Sequence, residues 1–356
     1  MKVGNILAVV GAQYGSEGKG VVVSRLAHQY SVHVRVGGAN AGHSHIVQGH
    51  KVKNQIIPVG WVNPDATLVI GRGALVDLEL LREELAEVSK FDPTVKDRLI
   101  IDAKAGILDQ SHKDTEGGIH GEDHQRIGST GEGVGAARIA RIKRDPSKFK
   151  QFKDVTDEDM RPFLYENTHE FILEASDRGR NVLLEGTQGS GLSLIHGPWP
   201  YVTSNDTNAA QLCADVGIPP RRLSEVALVA RTYPIRVAGN SGPLQGELSW
   251  TDISYKLGKQ TVERTTVTKK IRRIGEWDDS LFYQAVLLND PSWVALMFMD
   301  YLFPEVEGVS TWEGLSEQAK QYVIDFEAKW GVPLAMLGTG GDEWATVRLE
   351  QFAVSR

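Results

Sequence analysis

Apolar residues in this chain follow two repeating patterns. Short dense runs at residues 6–10 (ILAVV), 67–70 (TLVI), 99–101, 181–185 (NVLLE) and 226–230 (VALVA) read as strands, as do 32–36, 52–59 (VKNQIIPV) and 294–300 (VALMFMD). Residues 21–27, 75–88, 158–176, 280–288 and 315–330 place apolar side chains at helical spacing with charges between them. Strand and helix alternate along the chain, with no internal repeat, no low-complexity segment and no linker-like shift of composition. This predicts an α/β fold in one large domain, residues 1–356, with a mostly parallel central sheet and long loops along one edge.

The polar segments between these elements carry the candidate chemistry. The stretch from Gly11 to Gly20 (GAQYGSEGKG) joins the first strand to the first helix. Its glycines let backbone amides approach a phosphate, the helix start adds positive potential and Lys19 adds a full charge. It is not a standard Walker loop, since Gln13 and Gly20 stand where that pattern needs Gly and Ser or Thr, so a plain glycine turn is the alternative. Residues 37–45 (GGANAGHSH) form a second glycine loop at a strand end, where α/β proteins place their sites, and this singles out His43. His45 and His50 read as surface residues. Residues 111–128 hold His112, His120 and His124 at no zinc-like spacing and read as a mobile solvated loop. Residues 129–144 (STGEGVGAARIARIKR) read as a glycine turn opening a basic helix, either a solvated face or a phosphate holder.

The chain's bulk properties narrow the classes. Hydrophobic content of 41% and charged content of 24% fit a globular protein. Lys plus Arg is 39 against 46 Asp plus Glu, a net charge of −7, which supports no nucleic-acid-coating surface. The single Cys213 excludes an intrachain disulfide, suits a reducing cytoplasm and lies in an apolar run, residues 209–216, that suggests a buried thiol. The N-terminus has no signal pattern and no apolar run reaches about 18 residues, so neither export nor a membrane span is expected.

Several motifs together resemble the adenylosuccinate synthetase family over nearly the whole chain. Gln13-Tyr14-Gly15-Ser16-Glu17-Gly18-Lys19-Gly20 resembles its QWGDEGKG signature, and Gly37-Gly38-Ala39-Asn40-Ala41-Gly42-His43 its GGHNAGH segment. The 129–144 segment resembles its STG-x-G-x-G turn, and residues 185–204 resemble EGAQG…HG-x-YPYVTSS. Residues 235–239 match a ribose-contacting segment, 265–277 an aspartate loop, 294–300 a base-reading segment and 337–344 a C-terminal glycine turn.

The resemblance implies a ligase, a P-loop-like nucleotide site and a division of roles. His43, Lys19 and Ser16 would be catalytic. Gly15, Glu17, Gly18, Lys19, Gly20, Gly42, His43, Ser44, Asp300, Gly338, Gly340 and Gly341 would hold a nucleoside triphosphate. Ser16, Asn40, Ala41, Thr130, Arg144, Gln188, Thr203 and Val237 would hold a purine monophosphate, with Arg141 the alternative to Arg144. Thr268, Lys270 and Arg272 would bind L-aspartate, and Ser16 and Gly42 would ligate Mg²⁺. The implied assembly is a cytoplasmic homodimer that shares Arg144 across its interface, with small-molecule substrates and neither nucleic acid nor membrane as partner.

The departures from the family pattern are informative. Ser16 replaces the catalytic Asp, and a hydroxyl cannot serve as general base there, so Glu17 or a water is the expected proton acceptor. Phe298 replaces a Lys that packs on guanine of GTP. Ser for Asp resembles the bacteriophage branch of 2-aminoadenylosuccinate synthetases, which take dGMP with ATP or dATP. The alternatives are a conventional member using IMP and GTP, and an inactive nucleotide-binding regulator.

Overall fold

A computed structural model describes residues 3–265, 270–342 and 344–349. Its centre is a ten-stranded sheet. In chain order the strands are β1 (Ile6–Gly11), β2 (Val32–Arg35), β3 (Thr67–Ile70), β4 (Leu99–Asp102), β5 (Leu164–Tyr165), β6 (Val182–Glu185), β7 (Glu225–Arg231), β8 (Trp293–Met297), β9 (Leu334–Gly338) and β10 (Thr346–Arg348). Across the sheet the order is β10-β9-β8-β7-β1-β6-β2-β3-β4-β5. Every neighbouring pair is parallel except β9 with β10.

The apolar runs are dense because both faces of this sheet are covered. In β1, Ile6, Ala8 and Val10 pack with helices Thr168–Asp177, Ala209–Val216, Asp279–Asn289 and Glu317–Trp330. The alternate residues Leu7 and Val9 face Val22, Val23 and Leu26 of helix Lys19–Leu26. Cys213 lies in the first of these layers, fully buried, and burial pushes its thiol up to about 11. Because the strands run parallel, the ends of β1, β2, β6, β7, β8 and β9 emerge on one edge, bringing together residues far apart in sequence.

Four sequence expectations change. Residues 52–59 do not form one strand: His50–Asn54 pairs with His43–Val47 in an antiparallel hairpin, and Val59–Val62 is a 3-10 turn. Residues 158–176 hold a helix only from Thr168; before it come the turn Arg161–Phe163 and edge strand β5. The strand expected at 294–300 stops at Met297, where Phe298 turns left-handed (φ 64°) and places Asp300 on the short helix Met299–Leu302. Residues 111–128 are not a solvated loop: they contribute to helices Gln110–Glu116 and Glu122–Ile127, with His112 buried and its Nδ1 capping the first through the Asp109 amide.

A buried carboxylate ties the hairpin to the sheet. Glu84, on helix Leu78–Val88, accepts hydrogen bonds from the amides of Gln55, Ile56 (3.1 Å) and Ile57 (2.9 Å). Burial raises its pKa and the three amides oppose that shift. Glu84→Ala strands these donors in the interior, and a loss of about 3 kcal/mol is expected in denaturant unfolding. A loss below about 1 kcal/mol would mean the segment holds itself in place.

Candidate active site

The Gly11–Gly20 loop is shaped from within. Glu17, fully buried, accepts from the Gln13 amide (3.0 Å) and the Gly15 amide (2.8 Å) through Oε1 and from Lys19 Nζ (2.7 Å) through Oε2. The Gln13 side chain donates to the Arg231 carbonyl (3.0 Å) and accepts from its amide (3.1 Å), locking the loop to the end of β7. Arg231 Nη1 donates to the Ser16 carbonyl (3.1 Å). Gly18 takes a left-handed φ of 99° at the start of helix Lys19–Leu26, whose first-turn amides receive no side-chain cap. Such amides are ready donors to a phosphate. Glu17 already accepts three of the loop's own hydrogens, so taking a further proton would compete with its hold on Lys19 and the loop.

His43 is built into the same place. Gly20 packs so closely on the hairpin that a Cβ there would lie 2.8 Å from the Ser44 carbonyl and 3.0 Å from His43 Cβ. Arg35 and Glu185 are register partners at the ends of β2 and β6, and form a buried ion pair. Arg35 also donates to the carbonyls of Gln55 (3.0 Å) and Ala41 (2.7 Å), while Glu185 accepts the Val59 amide (2.8 Å). His43 Nδ1 lies 2.5 Å from Glu185 Oε1. Arg35 Nη1 lies 2.8 Å from the same nitrogen, so Nδ1 sits between a donor and an acceptor; a proton on Nδ1 suits the nearer carboxylate and leaves Nε2 with its lone pair. Burial, reinforced by Arg35, lowers the imidazole to about 4, so it is neutral near pH 7. Burial would raise Glu185, but Arg35 and His43 outweigh it and hold the carboxyl low, at about 2.

His45, expected at the surface, is buried against Trp61 and lowered by burial to about 4, whereas His50 is exposed as expected. The hairpin alternates its side chains, and packing beneath it takes the His43 and His45 side.

A cleft beside this centre gathers Asn40, Gln188 and Thr203 from three separate segments. Gln188 holds a left-handed φ of 56°, an uncommon conformation for a non-glycine residue. Ser16, Ala41, Thr130, Arg144 and Val237 do not line the cleft. Arg144 is exposed at the end of helix Val134–Lys143, and Arg141 donates to the Arg72 carbonyl (3.3 Å). The amides that open that helix are already occupied: Glu116 accepts from Gly133 (2.9 Å), Gly135 (2.6 Å) and Ala136 (3.1 Å).

At the far end, Gly18 and Gly338 both pack on Met297, which brings the end of β9 next to the first loop, while Gly340 packs near Ala345 and Gly308. Asp300 presents a buried Oδ1 with no partner, and burial raises its carboxyl to about 6. The Arg231 guanidinium stacks 3.7 Å from the Phe298 ring centroid. Of the expected aspartate ligands, Thr268 lies outside the described residues. Lys270 meets His124 Nε2 (2.9 Å), and Arg272 meets Glu263 (3.2 Å). Glu263 also accepts from Arg231 (2.7 Å) and Tyr301 (3.0 Å). Sequence reasoning missed Arg35, Arg231 and Glu263. The only available signal was a charged residue closing an apolar strand, as Arg35 and Arg231 do.

No described group of three or more His, Cys, Asp or Glu residues could hold a metal ion, and no described helix is long and apolar enough to cross a membrane.

Comparison with known proteins agrees with this fold. The family profile described as adenylosuccinate synthetase matches residues 8–164 and 145–307. An adenylosuccinate synthetase of Methanococcus maripaludis is 40% identical over 344 residues, 95% of this chain and 97% of that protein. That of Pyrococcus horikoshii is 39% identical over 338 residues, 93% of this chain and 95% of its own length. Among solved structures, cyanophage S-2L succinoaminodeoxyadenylate synthetase, bound to dGMP and dATP as an energy donor, superposes with a TM-score of 0.82. It is 29% identical, covering 99% of this chain and 97% of that one. A fully ligated adenylosuccinate synthetase from Plasmodium falciparum shares the fold, with a TM-score of 0.83 and 22% identity over 97% of this chain and all of that one.

Two outcomes are expected at this centre. Glu185→Gln removes the charge that fixes the His43 tautomer, and turnover should fall on the order of 10²-fold with KM little changed. Unchanged turnover would show that the imidazole needs no such partner. His33, His43 and His45 are each lowered by burial to about 4 from 6.5. Each contributes stability that is complete above pH 6.5 and is lost as pH falls toward 4, because only the unfolded chain takes up the proton in that window. Asp300 acts in the opposite direction between its ordinary value of 3.8 and about 6. Imidazole ¹H–¹⁵N spectra at about pH 5.5 should therefore show three neutral histidines; protonated signals for all three would contradict the buried, neutral assignment.

Proposed function

Since the chain belongs to the adenylosuccinate synthetase family, and is thereby a carbon–nitrogen ligase, we propose that it joins L-aspartate to C6 of dGMP. The 6-oxygen is first phosphorylated by ATP or dATP, and the amine of aspartate then displaces that phosphate. The products are ADP or dADP, phosphate and 2-amino-2′-deoxyadenylosuccinate monophosphate, a precursor of 2-aminoadenine in DNA.

The observation that carries the reading is Ser16 in an otherwise fully built loop. Glu17, Gln13 and Arg231 all hold the loop in shape, so Ser16 marks a change of substrate rather than decay of the site. The 2-amino group of guanine lies beside N1, and a serine there leaves room and can accept its hydrogen. The cyanophage relative bound to dGMP and dATP supports the same substrates here.

The proton then needs another acceptor. Neutral His43, with Nδ1 committed to Glu185, offers the Nε2 lone pair. After taking a proton it is an imidazolium braced by Glu185, able to donate to charge developing on the 6-oxygen. Lys19 and the uncapped helix amides neutralise the transferring phosphoryl group. Ser16 and Gly42 supply only neutral oxygens, and no described contact joins them. Mg²⁺ would therefore be held mainly by the triphosphate, where it supplies charge neutralisation. Asp300 offers its unpartnered oxygen to a donor on the triphosphate's base, and an Arg-backed phenyl ring stands where the family has a Lys. The reading includes a cytoplasmic homodimer. The exposure of Arg144, Ile139 and Ile142 on one helix supports it.

A second reading, IMP with GTP, is favoured by the archaeal relatives at 38–40% identity. The test is phosphate release with L-aspartate and Mg²⁺, comparing dGMP plus ATP with IMP plus GTP. Turnover on dGMP alone is expected; turnover on IMP alone would overturn the proposal. Ser16→Asp should shift the ratio of the two rates toward IMP by roughly tenfold or more.

A further inference from the structure

The cleft that holds Asn40, Gln188 and Thr203 is also lined by Arg138, from the middle of helix Val134–Lys143. Among the described residues, Arg138 is the only Lys or Arg on that lining. Its two acidic neighbours make hydrogen bonds elsewhere, although the charge of Asp215 still attracts the guanidinium from beyond ion-pair distance. Asp206 accepts from the Ser193 hydroxyl, and Asp215 accepts from Asn205 (2.9 Å) and Gln211 (2.8 Å). Arg138 forms no ion pair among the described residues, and its buried Nε has no partner. A guanidinium held largely out of water with donors unmatched is costly unless an anion answers it.

The nearby alternatives for an anion are closed. The helix-opening amides of Gly133, Gly135 and Ala136 are capped by Glu116, and Asn40 and Thr203 offer only neutral donors. We infer that Arg138 binds the 5′-phosphate of the purine monophosphate from within the same subunit, by a two-point contact to two phosphate oxygens. This rests on the reading of the cleft as a purine monophosphate site and holds whichever base is preferred. It adds a charge inside the cleft to that of Arg144, which is exposed at the end of the same helix. A fixed fork suits two phosphate oxygens as a point charge does not.

The test is a comparison of each monophosphate with its own nucleoside by calorimetry on the full-length protein. Arg138→Met should weaken dGMP, or IMP if that is the preferred nucleotide, by about 100-fold. The affinity for deoxyguanosine or inosine should stay within about twofold. Arg138→Lys should lose about tenfold, again on the monophosphates only, and it serves if the methionine variant does not fold. Equal losses on nucleotide and nucleoside, or no loss on either, would overturn the assignment. If wild-type protein prefers IMP, the dGMP proposal falls and the Arg138 assignment is judged on IMP and inosine. If it binds no purine monophosphate, both fall.

Discussion

The buried carboxylate of Glu185 is the interaction on which the centre depends. It ends a central strand, and one oxygen meets both Arg35 and His43 while the other takes the Val59 amide. An isolated carboxylate in that interior would be too costly to keep ionised. Paired with Arg35 it becomes a fixed charge, set 2.5 Å from His43 Nδ1, where it favours a proton on that nitrogen. The hairpin, the second glycine loop and the strand edge are thereby one electrostatic unit.

Other glutamates act in the same way at smaller scale. Glu17 gathers the first glycine loop, Glu84 the segment beneath Arg35, Glu116 the start of helix Val134–Lys143, and Glu263 the Arg231–Arg272 pair. Each satisfies amides or guanidinium groups that a phosphate-handling site must bring close together. The loops are thus organised by the chain itself before a ligand arrives, which reduces the ordering cost of binding. The amides of helix Lys19–Leu26 differ in having no side-chain cap, and they lie at the loop that matches the family signature.

The elements that were legible in the sequence are those whose apolar pattern is long or doubly buried. Strands at 6–10, 67–70 and 226–230 and the helix at 315–330 were found to within a few residues, because burial on both faces or on one helical stripe leaves a strong pattern. The failures share a cause. His45 is buried against Trp61 of the turn Val59–Val62, and helix Gln110–Glu116 packs beside helix Val134–Lys143. Polar residues carry no local signal of such burial.

By itself the sequence determined the α/β alternation, the glycine loop at the end of the first strand and the substitution of Ser16. These are properties of local order, readable from spacing and residue type. Only the tertiary structure shows that Glu17 holds the loop's amides and Lys19, that Arg35, His43 and Glu185 meet, and that Arg138 forms no ion pair among the described residues. Those facts depend on parallel strands delivering distant residues to one edge, and on which donors the interior leaves unmatched. Neither is encoded at any single position.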